Sequence, residues 1–238
     1  MANLVIDIGN TALKASWCDG LTLGKTFRYQ GEKIIDFILS LTLKTKPEVI
    51  VLSSVRNITP KNLQLIEKEC GRLIVVDKDL MSHYSLPSYL TPDRIASIVA
   101  SRYLFKGKEC MIFDFGTTLT VDFINAEGEY QGGNVSLGYR TRFKSISRYS
   151  KNYPLIGAPD DAQNPGNDVV SSVISGVLSG IIFEIEGYIL HNSEKTAVFT
   201  GGDAIYFAKR MKNSIFAVCN LVLMGLAIIA TEYDKKDL

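Results

Sequence analysis

The sequence predicts an α/β fold built as two duplicated halves, on three observations. A short apolar strand runs into the same kind of turn twice: Leu4-Val5-Ile6 into Asp7-Ile8-Gly9-Asn10-Thr11, and Met111-Ile112-Phe113 into Asp114-Phe115-Gly116-Thr117-Thr118. Around each copy, three strands precede alternating helices and strands, which is an internal repeat at the level of architecture. A late strand, Thr196–Phe199, then enters Thr200-Gly201-Gly202-Asp203. The short charged link Lys106–Glu109 divides the chain into halves 1–108 and 109–238.

In the first half, Asn3–Ile8, Ala12–Cys18 and Gly24–Tyr29 read as a β-meander with a turn at Asp19-Gly20. Lys33–Leu43 carries Ile34, Ile35, Ile38 and Leu41 at helical spacing. Val49–Val55 is a β-branched run, hence a buried strand. Thr59-Pro60 supplies a helix cap followed by proline in the first turn, and Leu63, Ile66 and Cys70 form that helix's apolar stripe. Leu73–Val76 is a strand, and Asp93–Phe105 a helix with Ile95, Ile98, Val99 and Tyr103 inward.

The second half repeats the order. Cys110–Phe115, Leu119–Asn125 and Glu129–Val135 form the second meander, turning at Glu127-Gly128. Tyr139–Ser150 is a helix whose Arg140, Arg142, Lys144 and Arg148 suit either contact with phosphates or, preferably, a solvated face. Tyr153–Asn167 is loop, Asp168–His191 a long helix, Ile205–Met211 a helix, Ile215–Val218 a strand and Leu221–Tyr233 a closing helix. The charged tail 234–238 is expected to fray.

With 238 residues there is enough chain for a substantial core, or two small ones. A formal net charge of +1 argues against a general nucleic-acid footprint. The four cysteines, Cys18, Cys70, Cys110 and Cys219, are dispersed and form no C-x-x-C pair. That favours reduced thiols over zinc or a disulfide framework. No signal peptide is apparent, and no apolar stretch reads as long enough to span a bilayer. A cytoplasmic protein with no membrane or nucleic-acid partner is expected.

The repeated turn has the chemistry of phosphate binding. Glycine lets the backbone approach an anion, the following amides and Thr hydroxyl donate to it, and the aspartate can hold a hydrated cation. Either turn alone would equally suit a plain hairpin; the second copy favours phosphate. Lys14 either adds a point charge or is an ordinary strand lysine. Thr91-Pro92-Asp93 reads on its own as a helix start. Gly201 and Gly202 suit either close approach of a base or a strand-to-helix turn. His83 and His191 have no catalytic or metal pattern beside them, and Asp122 is either a weaker site candidate or only an exposed strand end.

The two Asp-x-Gly turns, the Gly-Gly turn and the element order resemble the superfamily of actin, sugar kinases and heat-shock ATPases. Within it the chain resembles type III pantothenate kinase over nearly its whole length. The discriminating segment is Tyr84-Ser85-Leu86-Pro87-Ser88-Tyr89-Leu90-Thr91-Pro92-Asp93-Arg94. Its Tyr84, Pro87, Leu90, Asp93 and Arg94 fall on the family pattern, and Thr91 replaces a glycine. Thr117-Thr118-Leu119-Thr120-Val121-Asp122 and Gly132-Gly133-Asn134-Val135-Ser136-Leu137-Gly138 resemble two further motifs, with Leu137 in place of proline. Gly176, Gly180, Val222, Gly225 and Leu226 match positions on the long and closing helices. Asn167-Asp168 stands where the family has Asn-Thr, and Ser150 where it has Thr.

The resemblance implies two ribonuclease-H-like domains with a nucleotide cleft between them, and ATP-dependent phosphorylation of pantothenate to 4′-phosphopantothenate. It implies Asp93 as base and Tyr84, Thr91, Pro92, Asp93, Arg94 and Asp168 around pantothenate. Asp7, Ile8, Gly9, Asn10, Thr11, Ala12, Leu13, Lys14, Gly116, Thr117, Thr118, Gly201 and Gly202 would surround ATP. Mg²⁺ would sit near Asp7 through water, and a monovalent cation, K⁺ or NH₄⁺, at Asp114. Family members are usually homodimers. Two alternatives stay open: a non-enzymatic regulator, since relatives have been called Bvg accessory factors, and a sugar kinase of the same superfamily.

Overall fold

The computed structural model describes residues 2–159 and 163–234, without the side chain of residue 234. Most of the charged tail expected to fray therefore lies outside the described residues. The chain divides into two compact units: Met1–Leu104 joined by the segment from Asn220 onward, and Phe105–Cys219. The closing helix thus packs in the first unit, whereas the sequence division at 108/109 leaves it in the second half.

In the first unit, β1 (Ala2–Ile8), β2 (Leu13–Asp19), β3 (Thr22–Tyr29), β4 (Val49–Ser54) and β5 (Arg72–Val75) form a sheet in the order β3-β2-β1-β4-β5. The meander is antiparallel, and β4 and β5 add in parallel to β1. α1 (Ile34–Thr42), α2 (Pro60–Lys68), α3 (Lys78–His83), α4 (Pro92–Leu104) and α8 (Leu221–Asp234) complete the unit. Strand β1 is buried from Asn3 to Ile8, which explains its unbroken apolar run before Asp7. One face packs Leu4, Ile6, Leu13, Ile38, Ile50, Leu52 and Ile66 together. Thr59 caps α2 by accepting from the Asn62 amide at 3.3 Å, with Pro60 at the first helical position.

In the second unit, β6 (Cys110–Phe115), β7 (Thr118–Ile124), β8 (Tyr130–Leu137), β9 (Thr196–Gly201) and β10 (Ile215–Ala217) run in the order β10-β9-β6-β7-β8. Read from the other edge, this is the same meander-then-parallel arrangement, so the duplication inferred from sequence is present strand for strand. α5 (Tyr139–Tyr149), α6 (Val169–His191) and α7 (Ala204–Ala208) complete this unit. Its core is rich in rings, with Phe115 stacked on Phe207 at 5.1 Å and Phe113 against Phe199 at 5.1 Å.

Four expectations need correcting. Helix α3 was missed: six residues carry too little periodicity to announce a helix. Its signal is Asp77, which caps by accepting from the Asp79 and Leu80 amides at 3.1 Å each. Tyr103, assigned inward, is 57% exposed, because α4 is buried on all sides only from Arg94 to Ser101 and emerges beyond. Asp122, expected at an exposed strand end, is buried in the middle of β7. Finally, α6 is long and apolar enough by length and composition to cross a membrane, which the sequence reading did not foresee. Its Val173, Val177, Leu178, Ile181 and Ile185 are built into the core of the second unit, and a core helix passes the same test.

Candidate active site

The first turn grows out of the buried central strand. Asp7 is the penultimate residue of β1 and is only 9% exposed. Strand register sets its neighbours. Lys14 lies opposite it on β2 and Ser53 beside it on β4, so the three form a row on one face of the sheet. The Ser53 hydroxyl donates to Asp7 Oδ1 at 3.0 Å. Burial, and then repulsion from the Asp93 carboxylate, push the Asp7 carboxyl up to about 7, although Ser53 and Lys14 pull it down. A carboxylate held this far from its ordinary range, with one lysine in its row, suits a cation as partner.

After Ile8 the chain turns through Gly9, Asn10, Thr11 and Ala12 and re-enters the sheet at Leu13, with the Gly9 amide donating to the Ala12 carbonyl at 3.0 Å. A side chain at Gly9 would stand 3.2 Å from that same oxygen. Asn10 and Thr11 are exposed at the tip, while Ile8 and Leu13 are buried core positions. Arg56, just past β4, grips the turn, donating from Nε to the Gly9 carbonyl at 3.0 Å and from Nη2 to the Asn10 carbonyl at 2.6 Å.

Asp93 and Arg94 open α4. The Thr91 carbonyl accepts from the Ile95 amide at 3.1 Å, and Pro92 occupies the first helical position. Thr91 is exposed, Asp93 half-buried and Arg94 buried at 7% exposure. Asp93 Oδ1 accepts from the Arg94 amide at 3.0 Å. The fold thus brings the carboxylates of Asp7 and Asp93 into each other's field from 86 positions apart in the chain. Upstream, Leu86 and Leu90 anchor the loop in the core. Tyr84 is tied by its hydroxyl to Glu232 on α8 at 2.6 Å, and by its carbonyl to Arg102 Nη1 at 2.8 Å. Burial and the Glu232 carboxylate hold the Tyr84 phenol well above its ordinary range.

The second turn is tighter. Ile8 pairs with Leu13, five positions on, but Phe115 pairs with Leu119, four positions on. The partner of Asp114 on β7 is therefore Thr120, and on β9 it is Thr200. Both threonines are buried, and Thr120 Oγ1 makes no hydrogen bond. This row of oxygens without a lysine differs in kind from the Lys14–Asp7–Ser53 row. Thr117 and Thr118 are exposed at the tip, and the Gly116 amide donates to the Thr118 carbonyl at 3.0 Å.

Around this turn, a side chain at Gly138 would meet the Gly116 carbonyl at 2.1 Å. Gly201 has a φ of +94°, and a Cβ there would lie 2.4 Å from Asp114 Oδ1. Its glycine is therefore explained by close approach to the second turn, while a Cβ at Gly202 would meet only the Phe115 carbonyl, in ordinary contact at 4.0 Å. Asp168 caps α6, its Oδ1 accepting from the Val170 and Ser171 amides at 2.8 and 2.9 Å, and these bonds hold its carboxyl below the ordinary range. Of the basic run on α5, Arg142 is half-buried against Glu184, Ser136 and the Leu137 carbonyl rather than solvated.

Sequence reasoning missed Ser53, Arg56 and Glu232. The first two had a signal. Ser53, Ser54 and Arg56 are polar residues at the carboxyl end of a buried parallel strand, where α/β sheets gather their ligands. Glu232 had none, because its partner is 148 positions away in the chain.

Two sheets of one topology, each with an Asp-x-Gly turn leaving its central strand, define the class of actin-like kinases and ATPases. A model of the type III pantothenate kinase family matches residues 3–191. A type III pantothenate kinase of Cytophaga hutchinsonii is 35% identical over 235 residues, covering 94% of this chain and 96% of the relative. A Campylobacter jejuni crystal structure, described as that of a conserved protein of the Baf family, aligns with a TM-score of 0.63 at 23% identity, covering 99% of this chain and all of that one. The activator of the 2-hydroxyisocaproyl-CoA dehydratase of Clostridium difficile, solved with ADPNP, gives 0.62 at 12% identity, covering 100% and 97%. The chain belongs to the type III pantothenate kinase family.

Proposed function

We propose that this chain transfers the γ-phosphoryl group of ATP to the primary hydroxyl of pantothenate, giving 4′-phosphopantothenate at the first step of coenzyme A biosynthesis. The observation that carries the reading is the proximity of Asp7 and Asp93: a buried carboxylate beside a phosphate-type turn, lying in the field of a second carboxylate at a helix start. In this reading Asp93 aligns the acceptor hydroxyl and takes its proton as the oxygen–phosphorus bond forms. Phosphoryl transfer then asks mainly for positioning and charge neutralisation. Arg94 meets the pantothenate carboxylate, and its guanidinium is suited to a bidentate fork.

Asp7 would hold Mg²⁺ through water, and a carboxyl raised by burial and by Asp93 despite Lys14 is one that a bound cation would bring back toward its ionised form. Asp114, with the Thr120 and Thr200 hydroxyls beside it, would hold K⁺ or NH₄⁺; the unbonded Thr120 Oγ1 supports an oxygen-liganded cation there. Among the described residues no group of three or more His, Cys, Asp or Glu side chains is placed to hold a metal, so water and substrate oxygens would complete either shell. These cations supply charge neutralisation at the phosphates. Gly9 to Lys14, Gly116 to Thr118, Gly201 and Gly202 complete the nucleotide contacts.

Tyr84 contributes its ring and its fixed backbone, since its hydroxyl is engaged by Glu232. Thr91, Pro92 and Asp168 serve through the helix starts they form. A homodimer is part of the reading, and the exposed Phe183 and Leu190 of α6 support it. So is a cytoplasmic location.

The test is direct. Purified protein with ATP, Mg²⁺, K⁺ or NH₄⁺ and pantothenate should yield phosphopantothenate by mass spectrometry. Asp93→Asn should lower kcat by at least about a hundredfold with an unchanged far-ultraviolet spectrum. Wild-type protein that makes no product would return the regulator reading. Turnover with hexoses instead would favour the sugar kinase.

A further inference from the structure

We infer that Arg56 is a positioning residue that sets the shape of the first phosphate turn, and through it the affinity for nucleotide. The inference rests on the kinase reading above. Three successive carbonyls of the turn are taken from the β4 side. Ile8 accepts from the Val55 amide at 3.1 Å, Gly9 from Arg56 Nε at 3.0 Å and Asn10 from Arg56 Nη2 at 2.6 Å.

In a trans peptide the carbonyl and the following N–H point in opposite directions. Fixing the carbonyls of Gly9 and Asn10 therefore aims the amides of Asn10 and Thr11 away from β4. Successive amides presented on one side of a turn make a concavity for anions. The arginine is itself held in place: its amide donates to Ser54 Oγ at 3.1 Å, and that hydroxyl donates back to the Arg56 carbonyl at 2.8 Å. Arg56 is exposed, so fixing its long side chain costs rotamer entropy, which the two charge-assisted bonds offset.

The second unit performs the same task with different groups. There the Thr117 carbonyl accepts from the Gly138 amide at 3.0 Å and from Thr141 Oγ1 at 2.6 Å. Each turn thus has its tip carbonyl held from outside, and only the first uses a guanidinium fork. Lysine cannot replace it, because one ammonium on a flexible stem does not reproduce a planar fork spanning two carbonyls.

The experiment is calorimetric titration of the full chain with Mg·ADP, alongside steady-state kinetics. Arg56→Ala should raise the dissociation constant for Mg·ADP about tenfold or more, raise KM for ATP in parallel, and leave KM for pantothenate unchanged. Arg56→Lys should remain weak, and added guanidinium ion should partly rescue Arg56→Ala. Should the alanine variant fail to fold, Arg56→Gln, which reaches one carbonyl at a time, carries the same test. Wild-type affinity in Arg56→Ala, or full recovery in Arg56→Lys, would overturn the inference while leaving the kinase reading intact. Wild-type protein that does not bind Mg·ADP would overturn both.

Discussion

Replacing Asp7 by Asn removes a strongly perturbed carboxyl of the first unit with almost no change in shape. The sign of its effect on stability follows from linkage. In the unfolded chain this carboxyl ionises near 3.8, and in the folded chain near 7. Between those values the folded state holds a proton that the unfolded state has released, so stability falls as pH rises through the window and levels off above it. At about 1.4 kcal/mol per pH unit, the interval amounts to a penalty of about 4 kcal/mol at pH 8. Because the group is 9% exposed, solvent screening reduces this little. Asp7→Asn should therefore be more stable than wild type at pH 8, by up to about 4 kcal/mol, and nearly equal to it at pH 4. It should also have lost phosphoryl transfer. Urea unfolding of both proteins at a series of pH values, with chelator present, measures this. A variant less stable than wild type at pH 8, or one with the same pH slope, would refute the reasoning.

Two other substitutions test how the site is framed. A methyl group at Gly225 on α8 would stand 1.9 Å from the Ala96 carbonyl on α4, so the helices must separate by about 1.5 Å or more to reach ordinary contact. Gly225→Ala should cost about 3 kcal/mol, seen as a fall of several degrees in Tm, and lower kcat because α4 carries Asp93; an unchanged Tm would count against this helix contact. Asp168→Ala should lower Tm, whereas Asp168→Thr, which still caps α6, should restore it and leave KM for pantothenate unaltered. A rise in that KM for Asp168→Thr would instead mark Asp168 as a substrate contact.

What the sequence revealed and what it withheld divide along physical lines. The strand order was legible because each central strand is buried on both faces and reads as an unbroken apolar run: Leu4 to Ile6, Val49 to Leu52, Met111 to Phe113. The helix starts at Thr59, Asp93 and Asp168 were legible because capping is local chemistry. Missed features depend on pairing across distance. No local pattern shows that α8 returns to the first unit, since an apolar helix is equally at home in either core. Nothing near Asp7 in the chain reveals Ser53 or Arg56, which parallel register brings from strand β4.

The two turns also looked interchangeable in sequence, and register makes them different. One residue more between Ile8 and Leu13 than between Phe115 and Leu119 places Lys14 opposite Asp7, and its absence places Thr120 opposite Asp114. A lysine ammonium beside the first aspartate supplies positive charge directed at an anion. Two threonine hydroxyls beside the second supply only oxygen, which favours a cation. Duplication gave each unit the same backbone device, and a difference of one residue in loop length gives the two aspartates different neighbours, which is the ground for proposing a monovalent cation at the second turn and not at the first. Thr120→Val, which removes the unbonded hydroxyl opposite Asp114, should therefore weaken any response of activity to K⁺ without disturbing the sheet. A valine variant with the full wild-type K⁺ response would separate the proposed cation site from Asp114 and its row.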